Sequence, residues 1–127
     1  MTITEPGLTI SEVAELSGLS AHTLRYYERA GLMLGPVDRA TSTHRRYTPA
    51  DVTWIGFLTK LRATSMPIAQ VREYAELARQ GDATEDARLR LLREHRLRVI
   101  RDLDDITNSL AAIDTKIAVY EERITRS

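Results

Sequence analysis

The sequence predicts a mainly α-helical chain: a winged helix-turn-helix unit followed by one long C-terminal helix that pairs as a coiled coil. Three observations carry that expectation. Two short amphipathic segments are joined by Ser17-Gly18-Leu19, a glycine turn between helices. The stretch from Leu32 to Tyr47 has no helical period and holds Gly35-Pro36 and the small polar run Ala40-Thr41-Ser42-Thr43. From residue 82 to residue 127 there is neither glycine nor proline, and apolar residues recur at spacings of three and four.

The first helix is expected to open at Ser11, after a loose leader containing Pro6 and Gly7. Ile10, Val13, Ala14 and Leu16 form its apolar stripe, and Gly18 stops it. Ser20 reads as the N-cap of a second helix, Ala21 to Ala30, which ends at Gly31. The aperiodic stretch that follows reads as a short hairpin, or wing, with extended apolar ends at Leu34, Val37 and Tyr47. No Asn-Gly or Asp-Gly pair marks its tip, so its turn type and register stay open. Thr48-Pro49-Ala50-Asp51 starts a third helix with a Thr cap, Pro at the first position and an acid at the third. Val52, Trp54, Ile55, Leu58 and Leu61 give it a buried stripe, and it ends near Ala63. Pro67 opens a fourth helix with Ile68, Val71, Tyr74, Ala75 and Ala78 inward, and Gly81 closes it.

Asp82 or Thr84 is expected to cap the last helix, which divides the chain into a unit at 1–81 and a helix at 82–127. Leu89, Leu92, Arg96, Val99, Leu103, Ile106, Leu110, Ile113, Ile117, Tyr120 and Ile124 make an unbroken seam over about five heptads. A folded part of about 80 residues is too small to cover that stripe, so a second copy must cover it. Homodimerisation through Leu92, Arg96, Val99, Leu103, Ile106, Leu110, Ile113, Ile117 and Tyr120 is the expectation. A parallel pair would stack Arg96 on its own copy, whereas an antiparallel pair sets Arg96 against Tyr120 of the second copy, a cation on a ring face. The seam is therefore expected to be antiparallel.

Composition removes several function classes. The 127 residues include no cysteine, which excludes disulfides, thiolate metal sites, iron–sulfur clusters and cysteine nucleophiles within them. No apolar run approaches the ~18–20 residues of a membrane span, and no basic-then-apolar signal opens the chain, so a cytoplasmic protein is expected. His22, His44 and His95 lie in different elements, which disfavours a metal site. Asp102, Asp104 and Asp105 share one helix without a pocket, and no phosphate loop or nucleophile elbow appears. Neither enzymatic activity nor a cofactor is expected.

The charge balance, 18 Lys+Arg against 18 Asp+Glu, conceals a local excess. From His22 to Tyr47 stand Arg25, Arg29, Arg39, Arg45 and Arg46, with His22 and His44, against only Glu28 and Asp38. On the second helix Leu24, Tyr27 and Gly31 share the face toward the body. Ala21, His22, Arg25 and Tyr26 point away, with Thr23 beside them, and Arg29 lies one turn beyond Arg25. Arginine forks suit guanine edges and phosphate oxygens, and a tyrosine hydroxyl suits phosphate. DNA contact by this face and by the wing is the expectation.

Leu24-Arg25-Tyr26-Tyr27-Glu28-Arg29-Ala30-Gly31-Leu32, His44-Arg45-Arg46-Tyr47, and Asp51-Val52 followed by Phe57-Leu58 and Leu61-Arg62 resemble the MerR family of bacterial transcription regulators. The tail, from Arg72-Glu73-Tyr74 through Leu91-Leu92-Arg93-Glu94-His95-Arg96 to Tyr120-Glu121-Glu122, is similar to the short aldehyde- and thiol-stress subgroup. The resemblance implies a dimer on pseudo-palindromic double-stranded promoter DNA with overlong spacing between its −35 and −10 elements. It implies distortion of that spacer so that RNA polymerase uses both, and contacts from Arg25, Tyr26, Arg45 and Tyr47. Two departures stand out. Thr43 occupies a wing position where many members have glycine, and Thr59-Lys60-Leu61 replaces the subgroup's cysteine, which excludes thiol sensing. A small-molecule effector would need a crevice between the DNA-binding unit of one subunit and the long helix of the other, lined by Trp54, Phe57, Tyr74, Leu91, Leu97 and Ile100. Two other readings share the winged unit: a DNA accessory protein of the excisionase type, which the long seam disfavours, and a coiled-coil adaptor, which the intact arginines disfavour.

Overall fold

The computed structural model describes residues 7–35, 38–39 and 45–126, with the backbone alone for 38–39 and 45–46. The helices are α1 (Ile10–Ser17), α2 (Ala21–Arg29), α3 (Pro49–Ala63), α4 (Ile68–Arg79) and α5 (Glu85–Arg126), with a 3-10 turn at Gly81–Thr84 before α5. Between α2 and α3, β1 (Asp38–Arg39) pairs antiparallel with β2 (Arg45–Arg46), Asp38 opposite Arg46 and Arg39 opposite Arg45. The wing therefore exists as a hairpin, with strands shorter than its apolar flanks suggest. Thr43, His44 and Val37 lie outside the described residues.

Helix starts follow the capping chemistry closely. Ser20 accepts from the Thr23 amide at 3.0 Å. Thr48 and Asp51 form a reciprocal box, the Asp51 amide donating to Thr48 Oγ1 at 3.0 Å and the Thr48 amide to Asp51 Oδ2 at 2.9 Å. The same device at Thr9 and Glu12 starts α1 one residue earlier than expected. Gly7 and Leu8, just before α1, are held against the chain at Tyr47. The Leu8 amide donates to the Tyr47 carbonyl at 2.7 Å, and the Tyr47 amide returns the bond at 2.8 Å. Gly7 has φ +98, and a Cβ there would meet the Tyr47 carbonyl oxygen at 2.5 Å, so only glycine fits this approach.

α1 packs on α2 and α3, and α3 on α4. Their core is Val13, Leu24, Tyr27, Leu32, Met33, Tyr47, Ile55, Leu58, Leu61, Met66, Val71, Tyr74 and Ala75. Leu16, expected in the α1 stripe, is 68% exposed, and α1 is held through Val13 instead. Trp54 is half-buried, its ring stacked on Tyr74 at 5.6 Å between centroids. Thr84 departs from the capping role: its hydroxyl donates to the Leu77 and Gly81 carbonyls and accepts from Arg88 Nε at 3.1 Å, tying the end of α4 to the start of α5.

Residues up to Leu89 form one compact unit and those from Arg90 a second. The second is the remainder of α5, a helix of 42 residues, about 63 Å at ~1.5 Å per residue. Along it Leu103, Ile106, Leu110, Ile113, Ile117, Tyr120 and Ile124 are all exposed, and Leu92 and Val99 are half-buried. Lys116 and Arg123 flank the Tyr120 ring from within the same helix at 5.8 and 5.9 Å.

Candidate nucleic-acid interface

α2 is a nine-residue helix with one committed face. Leu24 and Tyr27 are buried, and burial pushes the Tyr27 phenol further above its ordinary value, with the Arg62 guanidinium opposing the rise, so it stays neutral. His22, Arg25, Tyr26 and Arg29 are exposed, while Ala21 and Thr23 are half-buried. The i, i+3, i+4 pattern of the sequence thus sorts this helix into a core face and a cationic face. Gly31 is the exception: it is exposed rather than turned toward the body. Thr23 is already engaged, its Oγ1 accepting from Ser20 Oγ at 3.0 Å. What the outer face offers chemically is two guanidinium forks one turn apart with a phenol between them. That set can donate hydrogen bonds to phosphates and to the acceptor edges of bases.

The hairpin places Arg39 and Arg45 opposite each other on neighbouring strands, with Arg46 next in line. Tyr47 departs from its expected part as a surface contact. It is 1% exposed, because both of its backbone hydrogen bonds go to Leu8 while the chain turns under into the Thr48 cap. Its side chain belongs to the core, where it anchors the base of the wing.

α2 ends in a complete Schellman arrangement: the Leu32 amide donates to the Tyr27 carbonyl at 3.0 Å, the Gly31 amide to Glu28 at 3.3 Å, and Gly31 has φ 75. Beyond it, side chains from α3 and α4 take the next carbonyls. Trp54 Nε1 donates to Leu32 at 2.7 Å, Arg72 Nε to Ala30 at 2.9 Å, and Arg79 Nη1 to Gly31 at 3.1 Å and Met33 at 2.6 Å. Sequence reasoning missed these two arginines. The available signal was their seven-residue spacing, which puts both on one face of α4.

The remaining chemistry-bearing groups stay apart. Asp102, Asp104 and Asp105 are exposed on α5. Among the described residues no group of three His, Asp or Glu stands close enough to hold a metal ion, and no helix is long and apolar enough to cross a membrane. His95 is buried on α5, and burial, reinforced by the Arg98 charge and opposed by Asp102, holds its imidazole below the ordinary histidine value. Phe57, 5.7 Å from the Tyr74 ring, is partly exposed. Leu97 and Ile100 are exposed on α5.

Residues 8–78 match the model of the MerR HTH family regulatory proteins. The HTH-type transcriptional regulator AdhR of Bacillus subtilis is 42% identical over 93 residues, 73% of this chain and 66% of that protein. A MerR family regulator structure from Listeria monocytogenes superposes with a TM-score of 0.83 at 36% identity, covering 91% of this chain and 86% of that one. A second, HiNmlR, described as lacking the sensor domain and bound to promoter DNA, gives 0.81 at 32% identity, with 90% of each chain covered.

Proposed function

The chain belongs to the MerR family of helix-turn-helix regulators, and we propose that it is a transcription regulator that binds promoter DNA as a homodimer, not an enzyme. One observation carries the reading: α2 buries Leu24 and Tyr27 and presents Arg25, Tyr26 and Arg29 to solvent. The HiNmlR structure supports it, because a chain of this fold and length is there bound to promoter DNA. His22, Arg25, Tyr26 and Arg29 face one groove, with Ala21 and Thr23 at the helix start. Contacts with the flanking backbone are assigned, from the sequence, to Arg39, His44, Arg45 and Arg46. Tyr47, being buried, is not among the contacts.

In this reading the unit that precedes α5 binds DNA and α5 itself dimerises, the helix starting at Glu85 rather than at residue 82. The exposed stripe from Leu103 to Ile124 supports the dimer: leaving seven large apolar side chains in water forgoes about 1.5–3 kcal/mol each. A two-fold dimer meets a pseudo-palindrome because each half-site sees the same helix. Bending and untwisting an overlong −35/−10 spacer, at a cost of order 1–6 kcal/mol, is the mode of control, and RNA polymerase is engaged through the promoter, in the cytoplasm. With no cysteine in its 127 residues, the response does not pass through a thiol of this chain.

The test is gel-shift titration on a duplex that the wild-type protein selects from a random pool. Arg25→Ala and Arg45→Ala are each expected to weaken binding by about 1–3 kcal/mol, with light scattering showing an intact dimer. Unchanged affinity in both variants contradicts the docking mode.

A further inference from the structure

The four carbonyls that follow α2, those of Ala30, Gly31, Leu32 and Met33, all accept hydrogen bonds from side chains of α3 and α4. Two of the three donors are themselves held in place. The Trp54 ring lies within 10° of parallel on Tyr74, and Arg79 Nη2 is held by Glu76 Oε2 at 2.7 Å. This is more than closure of a helix end, since the Schellman bonds already take the Tyr27 and Glu28 carbonyls.

α2 has only two buried side chains, and apolar burial is non-directional, so Leu24 and Tyr27 fix its depth better than its tilt. Hydrogen bonds are directional. A tilt of about 10° about the Ala30 end would carry the backbone at Arg25, five residues away, by roughly 1 Å, given ~1.5 Å of rise per residue, enough to misplace its guanidinium on a base edge. The two arginines also set positive charge at the negative end of the α2 dipole.

We propose that Arg72, Arg79 and Trp54 are positioning residues for DNA recognition: a clamp from α3 and α4 that sets the angle at which α2 enters the groove. The clamp rests on the reading of α2 as the DNA-contacting helix. It makes Arg79 basic yet not a phosphate ligand, since its guanidinium is taken up by two carbonyls and Glu76.

The experiment uses the full chain and two duplexes, one selected from a random pool by the wild-type protein and one of unrelated sequence, titrated at several salt concentrations. Arg79→Ala is expected to lose about tenfold in affinity for the selected duplex, the scale of one well-made base contact, and little for the unrelated one. Its slope of log Kd against log salt should match the wild type, whereas Arg25→Ala should lose about one unit of slope. Arg79→Lys, which keeps the charge but reaches one carbonyl, should recover part of the loss. Arg72→Ala removes a single bond and carries the same test if Arg79→Ala does not fold, as judged by its thermal melt. A slope lowered by one in Arg79→Ala, equal losses on both duplexes, or wild-type affinity in Arg79→Ala and Arg72→Ala would each overturn the clamp alone. A wild-type protein that prefers no selected duplex would overturn the functional reading and the clamp with it.

Discussion

Ser65 sits between α3 and α4 with φ 69, the one non-glycine among the described residues in the left-handed region. It is the C′ residue of a Schellman ending in which the Met66 amide donates to the Leu61 carbonyl at 2.9 Å and the Ser65 amide to Arg62 at 3.0 Å. A side chain there costs about 1–2 kcal/mol, and glycine gives back about 0.5–1 in chain entropy. Ser65→Gly is therefore expected to stabilise the unit by about 0.5–1 kcal/mol, read as a higher urea midpoint at unchanged slope; a lower midpoint would show that the serine side chain contributes more than its strain costs. Local rules reach such single residues unevenly. The facing of Leu24 and Tyr27 against Arg25 and Tyr26 was legible because it needs only the helical repeat. The burial of Tyr47 was not, because it arises from tertiary packing, and its backbone pairs with Leu8, far away in sequence. Nor were the roles of Arg72 and Arg79: their seven-residue spacing puts both on one face of α4, but their partners are backbone carbonyls that no sequence pattern marks.

At the scale of the element, capping chemistry made the starts of α2 and α3 legible to the residue, and Gly18 and Gly31 marked the ends they should. The departures have physical causes. Thr84 turns its hydroxyl to the Leu77 carbonyl because a 3-10 turn intervenes between α4 and α5. The wing strands are two residues each, since only a backbone register and no apolar alternation defines them. α5 runs unbroken from Glu85 to Arg126, as a segment without glycine or proline should, and its apolar stripe lies in the open. An antiparallel partner would set Leu103 on Ile113, Leu110 on Ile106 and Ile117 on Val99 of the second copy, with Arg96 facing a Tyr120 ring that already takes two cations of its own helix. Arg96→Cys, in a chain with no cysteine of its own, separates the alternatives. Antiparallel helices hold the two sulfurs roughly 36 Å apart at ~1.5 Å per residue, so no intradimer disulfide is expected on oxidation. Efficient cross-linking would mean a parallel seam.

For the whole molecule, the two compact units carry the two halves of the proposed activity: recognition in the helix-turn-helix and wing, pairing in α5. The sequence pattern separated these because their periodicities differ, one a set of short capped helices and the other a sustained heptad. It could not supply the distance between half-sites, which depends on how two copies meet. In the proposed assembly this pairing aims two α2 helices at one promoter spacer. Sequencing the DNA bound to the protein in cells tests it most directly. The expected sites are pseudo-palindromes lying between −35 and −10 elements whose separation exceeds that of ordinary promoters. Bound fragments scattered without promoter elements, or no enrichment at all, would contradict it.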